Sequence, residues 1–266
     1  MLFFRGNKID TASLKETLIS STKNNKVSLL LNFPNNPTGY SPTLEEANLI
    51  SSVIKEVAEM GIKVCVITDD AYFGLFYEDD IYKESIFSLL ADIHENVLAV
   101  KVDGATKEDY SWGLRVGFIT FAGKGLEKRH TDALEQKLMG AVRSSFSSSS
   151  KLSQALVIKA LKSDTYDSEK AEFEKIMKDR YLKVKEILEK RTNGLKLQEY
   201  PFNSGYFMNF KTPSGFNEQL RVELLKHGVG TISLGDTSFR IAYSSVDKED
   251  LEDLFQIIFT CSDNLQ

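Results

Sequence analysis

The sequence predicts an α/β fold with a mostly parallel sheet, followed by a smaller α+β domain. Three observations lead there. Short apolar runs without alternation, Val27 to Phe33, Ile62 to Thr68 and Asn96 to Val102, read as buried strands. Segments with helical spacing separate them, and strand–helix–strand order implies parallel strands joined by right-handed crossovers. After Leu195 the rhythm changes to short strands and helices in mixed order.

Thr43 to Met60 carries apolar residues at Leu44, Ala47, Ile50, Val53, Ile54 and Val57, the spacing of one helix face. Thr43 with Glu46 three residues on is a capping-box pattern, and Gly61 stops the helix. Ser85 to Leu90 reads as a short helix. Arg115 to Phe121 is a fourth strand. The stretch before it is short and shows no helical pattern, so it holds no crossover helix and this strand is expected to run antiparallel. Leu126 to Val142 is helical, Ser144 to Ser150 is a serine-rich break, and Lys151 to Leu161 is a helix capped by one of those serines. Glu169 to Arg191 is long, charged and amphipathic, a bridge between domains. Then come a strand (Gly205 to Phe210), a helix (Asn217 to His227), two strands (Gly230 to Ser233, Ser238 to Tyr243) and a helix (Lys248 to Cys261). The domains are drawn at residues 1–161 and 162–266, and no internal repeat is seen.

A net charge of −5 and a pI of 5.4 give no reason to expect nucleic-acid binding. There is no long uncharged apolar stretch of the kind that spans a membrane, and Met1 to Arg5 is too short an apolar stretch for a signal peptide. Cys65 lies in an apolar strand pattern and far from Cys261, which favours a buried free thiol over a disulfide. His94, His130 and His227 have no metal-ligand spacing, so no metal is expected. A cytoplasmic protein is the default.

Three predicted strands end, in order, on an amide (Asn36-Pro37-Thr38-Gly39), a carboxylate with a phenol (Asp69-Asp70-Ala71-Tyr72), and an amine with a guanidinium (Lys107, Arg115). Ligands of open α/β sheets bind at strand C-termini. An amine, a carboxylate and phosphate-binding groups together suit pyridoxal 5′-phosphate (PLP), whose aldehyde forms a Schiff base with a lysine and whose ring nitrogen pairs with an aspartate.

The order and spacing resemble the class I/II aminotransferases, the fold-type I PLP enzymes. The residues that carry the resemblance are Asn36-Pro37-Thr38-Gly39, Asp69-x-Ala71-Tyr72, Lys107 with Gly113-x-Arg115-x-Gly117, and Phe239-Arg240-Ile241. The resemblance implies that Lys107, Asp69 and Tyr72 are catalytic. Lys107 would form the Schiff base and then move a proton at the substrate α-carbon. Asp69 would keep the pyridine nitrogen protonated; strand alternation sends its neighbour Asp70 to the other side. Asn36 and Tyr72 would donate to the cofactor phenolate, Arg115 and Thr106 would bind the phosphate, and Arg240 with Asn36 would bind the substrate carboxylate. The bland readings are a solvated lysine at 107, turn carboxylates at 69 and 70, and simple turn chemistry at Asn36. Phe207 and Asn209 flank either a pocket or a half-buried strand. The family's turn also makes the Asn36-Pro37 bond a candidate cis peptide.

The chain departs from the family pattern in three places. Many members have Ser three residues before the lysine, where this chain has Gly104, which lets backbone approach closely. Glu108 is unusual beside an anion site. Family members also carry a long segment before the Asn-Pro-Thr-Gly turn, which holds the helix that cups the phosphate and the aromatic that stacks on the ring. Here the turn begins at 36. The expectation is therefore a partial large domain of the fold-type I kind plus an α+β C-terminal small domain. Weak or absent PLP binding and no significant transaminase activity by this chain alone are expected with it. Open sheet edges would favour a homo-oligomer, a dimer in the family, or a partner chain, and the resemblance puts Ser144 to Ser150 near a neighbouring subunit's cofactor phosphate. The parent reaction would move an amino group from an α-amino acid to a 2-oxo acid. Its rivals are another PLP reaction such as C–S lysis or decarboxylation, a non-catalytic PLP- or effector-binding domain of a regulator, and a folded fragment that binds no cofactor.

Overall fold

The computed structural model describes residues 4–191 and 196–265. Met1 to Phe3 of the opening apolar stretch, Leu195 and Gln266 lie outside the described residues. The chain folds as two compact units, one of residues 4–33, 42–74 and 80–166, the other of 34–41, 75–79 and 167–265.

The first unit opens with a two-residue antiparallel pair, β1 (Phe4–Arg5) and β2 (Lys8–Ile9), and helix α1 (Thr11–Ser20). Then come β3 (Lys26–Asn32), α2 (Leu44–Glu59), β4 (Lys63–Asp69), α3 (Ile86–Leu90) and β5 (Val97–Asp103). A one-turn helix α4 (Ala105–Glu108), strand β6 (Phe118–Ala122), and helices α5 (Lys128–Ser145) and α6 (Lys151–Leu161) follow. The sheet order is β3-β4-β5-β6, with the first three strands parallel and β6 antiparallel to β5, as the missing crossover helix required. The core joins Leu14 and Leu18 of α1, Ala47, Ile50, Ile54 and Val57 of α2, and Leu90 of α3 to Val27, Leu31, Val64, Val66, Val97 and Ala99 of the sheet. These residues alternate along the strands, so α1–α3 cover one face.

The other face differs from the sequence reading. Leu30 is 63% exposed and Cys65 is half-buried rather than buried. Helix α5 buries none of its residues and α6 buries Val157, so neither helix seals that face. The stretch before β6 also differs. It holds the turn of helix α4, and β6 starts at Phe118 rather than Arg115, because Arg115 takes a left-handed φ of 56° that no strand accommodates.

The second unit contains α7 (Tyr166–Glu189, entering the unit at Asp167), β7 (Gln198–Glu199), β8 (Met208–Lys211), α8 (Phe216–Lys226), β9 (Ile232–Leu234), β10 (Ser238–Ile241) and α9 (Leu251–Asn264), with two 3₁₀ turns before α9. Its sheet is antiparallel in the order β7-β8-β10-β9. Phe210, Phe239, Tyr243, Phe255 and Leu251, with Tyr181 of α7, are among its most buried large side chains. β8 begins at Met208, three residues later than expected, because Gly205 sits at φ 71° and gives its N–H to Leu75 instead of a strand.

Thr43 caps α2 as its sequence indicated. Its hydroxyl accepts from Glu46 N–H, and the Glu46 carboxylate accepts from Thr43 N–H at 2.9 Å. The same carboxylate accepts from Ile9 N–H at 2.8 Å, and Glu46 is only 3% exposed. Thr43→Ala therefore removes one cap bond, about 1 kcal/mol. Glu46→Ala strands two backbone donors and is expected to cost more, about 1–3 kcal/mol. Urea denaturation of the two variants checks the order; equal losses would show that the tie to Ile9 adds nothing.

Candidate functional site

The site of the first unit is built on strand ends. Parallel pairing sets Asn32 opposite Asp69 and Asp69 opposite Val102, so β3, β4 and β5 finish level. Asn32 Nδ2 donates to the Asp69 carbonyl at 3.0 Å and ties two of the ends together. Beyond β4 the chain turns sharply, with Ala71 N–H donating to Asp69 Oδ1 at 3.2 Å. That turn leaves Asp69 half-buried and buries Tyr72 to 8% exposure. Beyond β5 the α4 turn presents Lys107, whose Nζ lies 4.9 Å from the centre of the Tyr72 ring.

A pocket of ≈ 340 Å³ is lined by Asp69, Thr106, Lys107 and Arg115, together with Asp103 and Gly104 among others. Five of the residues singled out in the sequence, Asp69, Tyr72, Thr106, Lys107 and Arg115, are thus gathered at one sheet edge. Arg115 is exposed and its Nη1 donates to the Trp112 carbonyl at 3.2 Å. Gly104 explains its own identity. A Cβ there would lie 2.5 Å from the Val116 carbonyl oxygen and 2.8 Å from Gly117 Cα, so the two loops that wall the pocket touch backbone to backbone.

Asp103 and Lys101 were not picked out in the sequence, because neither stands in a family motif. Lys101 bonds to Asp103 and has its Nζ 3.9 Å from Asp70 Oδ2. Asp70 is only 4% exposed. Burial pushes the Asp70 carboxyl up to about 6, against the Ser85 hydrogen bond and the Lys101 charge, with Asp103 and Asp69 adding to the rise. Asp69 and Asp70 thus divide as alternation foresaw, one lining the pocket and one buried beside Lys101.

The second unit holds the other two singled-out residues. Asn36 lies in the Asn35–Tyr40 turn, where the Asn36-Pro37 bond is cis. Its Oδ1 accepts from Arg240 Nη1 at 2.7 Å, and the Arg240 guanidinium carbon stands 4.3 Å from the centre of the Phe207 ring. Asn209 is 2% exposed and exchanges hydrogen bonds with the Ser238 hydroxyl at 2.8 and 3.0 Å, which makes it part of the sheet packing.

The donor set of the first unit's pocket fits PLP. It offers a primary amine for an aldehyde, a carboxylate for a ring nitrogen, a phenol, and a hydroxyl with a guanidinium for a phosphate. Among the described residues no group of three or more His, Cys, Asp or Glu could hold a metal ion, and no helix is long and apolar enough to cross a membrane.

A model of the family "Aminotransferase class I and II" matches residues 3–258. Over 123 residues the chain is 30% identical to the probable N-acetyl-LL-diaminopimelate aminotransferase of Bacillus subtilis (strain 168), an alignment covering 46% of this chain and 27% of that protein. An aminotransferase from Anaerococcus prevotii DSM 20548 superposes with a TM-score of 0.84 at 23% identity, over 99% of this chain and 63% of that one. An alpha-aminoadipate aminotransferase from Thermus thermophilus, complexed with N-(5′-phosphopyridoxyl)-L-leucine, superposes with a TM-score of 0.75 at 21% identity, over 97% and 64%. The chain spans less than two thirds of the length of each of these relatives, and the two structural likenesses establish the fold.

Two measurements follow from this geometry. Gly104→Ser adds a hydroxyl at the pocket wall, yet it forces Val116 and Gly117 away. It is expected to lower the melting temperature and to leave PLP affinity no better than wild type; tighter PLP binding with an unchanged melting temperature would contradict the backbone contact. For Asp70, a folded pKa near 6 above the ordinary 3.8 means the folded state holds the proton more tightly. The burial penalty is therefore full above pH 6 and fades as the pH falls towards 3.8. The melting-temperature difference between Asp70→Asn and wild type should be more positive at pH 8 than at pH 4.5, and a difference independent of pH would refute the assignment.

Proposed function

The chain belongs to the class I and II aminotransferases, and from that premise we propose that it serves PLP-dependent transfer of an amino group between an α-amino acid and a 2-oxo acid. The observation that carries this reading is the pocket at the ends of β4 and β5, where Asp69, Thr106, Lys107 and Arg115 share one cavity with Tyr72 beneath the lysine. We assign residues 1–161 to a partial PLP-binding large domain and 162–266 to a bridging helix with a C-terminal small domain.

When bound, PLP supplies an aldehyde to capture an amine and a protonated ring that accepts electrons from the α-carbon. The chain's own residues do the rest. Lys107 would hold the cofactor through its aldehyde, and its amine would be placed to take the proton from the α-carbon of the bound amino acid. Asp69 holds the ring nitrogen protonated through a charge-assisted hydrogen bond. The Tyr72 hydroxyl would donate to the phenolate oxygen. Thr106 and Arg115 take the phosphate oxygens. Arg240, with Asn36 as its partner, takes the substrate carboxylate in a two-pronged pair.

The 266-residue chain is proposed to hold PLP weakly and to turn over little by itself. Two features support that. Gly104 supplies no side-chain donor, and Arg115 is exposed with its guanidinium on Trp112 rather than preset for a phosphate. Catalysis needs a supported first layer of contacts, and loosening it is costly. A homo-oligomer, a dimer as in the resemblance, is proposed as well. Phe118 (54% exposed) and Ile119 on the edge strand β6, and Met139 and Leu152 on α5 and α6, leave apolar surface that association would cover. A cytoplasmic location without nucleic-acid or membrane partners completes the proposal.

Absorbance of the chain titrated with PLP, followed by a coupled assay with several amino donors and 2-oxoglutarate, tests the reading. The expected result is a weak PLP-dependent visible band lost in Lys107→Ala, with little turnover. A band that persists in Lys107→Ala would reassign the lysine. Turnover that is robust and Lys107-dependent would overturn the weak-holding proposal while supporting the enzyme reading.

A further inference from the structure

The buried polar network of the second unit is organised around the turn that carries Asn36. Asn203 is 5% exposed and Ser204 and Ser41 are 0% and 1% exposed. The Asn203 side chain matches one backbone residue completely: Ser41 N–H donates to Asn203 Oδ1 at 2.8 Å and Asn203 Nδ2 donates to the Ser41 carbonyl at 2.9 Å. An amide side chain alone carries one acceptor and one donor in the arrangement of a paired peptide group. The backbone N–H groups of Asn203 and Ser204 both donate to the Gly39 carbonyl at 2.9 Å, and the Ser204 hydroxyl reaches the same oxygen at 3.1 Å. Gly39 leaves no slack. It sits at φ 76°, and a Cβ there would fall 1.9 Å from the Phe207 carbonyl oxygen.

The turn itself is closed by Gly39 N–H on the Asn35 carbonyl and Asn35 N–H on the Tyr40 carbonyl, both 2.8 Å. The opposing segment 203–207 is anchored from behind at Gly205. Its N–H donates to the Leu75 carbonyl at 2.9 Å, and its carbonyl accepts from the Tyr77 and Tyr243 hydroxyls at 2.8 Å each. Arg240 rests on both partners of this pairing. Asn36 of the turn accepts from its Nη1, and Phe207 of the segment lies under its guanidinium. A slip between turn and segment would therefore separate the two supports of one cation.

We propose that Asn203 is a positioning residue for Arg240: by pairing with Ser41 it fixes the register between the Asn35–Tyr40 turn and the 203–207 segment, and so aims the guanidinium. The orientation of Arg240 follows from contacts within the second unit. Only the consequence for carboxylate binding rests on the proposed function.

The test compares Asn203→Asp, Asn203→Ala and Ser41→Ala with wild type. Asn203→Asp keeps shape and acceptor but sets an oxygen against the Ser41 carbonyl. Asn203→Ala removes both side-chain bonds and keeps the backbone bonds to Gly39; it serves if the Asp variant does not fold. Ser41→Ala removes the hydroxyl pair between Ser41 and Ser204, 2.8 Å apart, without touching the Asn203 pairing. The readouts are melting temperature, the Arg240 Nε–H resonance (assigned through Arg240→Lys) and its heteronuclear relaxation, and the dissociation constant for 2-oxoglutarate from chemical-shift titration. All three variants should melt lower. Only the Asn203 variants should shift and mobilise the Arg240 resonance and weaken 2-oxoglutarate by about tenfold, the size of one lost hydrogen bond to a charged group. An Arg240 resonance unmoved in both Asn203 variants, or moved equally by Ser41→Ala, would overturn the inference. If Arg240→Lys leaves 2-oxoglutarate binding unchanged, the carboxylate reading fails, and the ligand-free Arg240 resonance still decides the role of Asn203.

Discussion

Parallel pairing of β3, β4 and β5 is the constraint on which the first unit's site depends. In a parallel ladder every C-terminus lies at the same edge, and here the register sets Asn32, Asp69 and Val102 side by side. Each strand then releases its chain into a loop at a fixed height, so Asp69, Tyr72 and Lys107 arrive together at one edge. A register slip of one residue would turn Asp69 inward and Asp70 outward, since alternate side chains face opposite sides of a sheet. The Asp70 position shows the cost. Its carboxyl is buried beside Lys101, and that burial pushes it up to about 6.

The two units solve the positioning problem differently. In the first, rigid strand ends and a backbone-to-backbone contact at Gly104 shape the pocket. In the second, a turn and an extended segment more than 160 residues apart are locked by paired polar groups with almost no exposure, as in the 2.8 and 2.9 Å bonds between Asn203 and Ser41. Buried polar groups of this kind are stabilising only when all are satisfied. That requirement makes the arrangement specific, because no apolar replacement could pair with the Ser41 backbone.

Much of this was legible in the sequence, for identifiable reasons. The three parallel strands show as short, mostly apolar runs, and α2 shows by its spacing and by Thr43 with Glu46, which form the capping box. The antiparallel course of β6 followed from a connection that is short and shows no helical pattern. Asp69, Thr106, Lys107 and Arg115 could be named because each follows a strand end in a motif of known order, and the structure lines one pocket with them. What escaped was short or non-local. β1, β2 and β7 span two residues each, and α1 buries only Leu14 and Leu18, too little for a clear stripe. The ends of β6 and β8 slipped because Arg115 and Gly205 look like strand residues in a one-dimensional pattern but hold left-handed φ. Asn203, Ser204 and Ser41 gave no signal, since their partners are defined only once the chain has folded. The open face of the sheet, with Leu30 exposed, was also hidden, because an apolar run does not say how many of its faces are covered.

Everything proposed about the chemistry rests on Lys107 being the amine that captures PLP. The direct measurement is borohydride reduction of the 266-residue chain with substoichiometric PLP, followed by proteolysis and mass mapping of the pyridoxyl group. The account predicts a single dominant label on the peptide containing Lys107, lost when Asp69 is replaced by Ala. A label spread over surface lysines, or concentrated on another lysine, would contradict it.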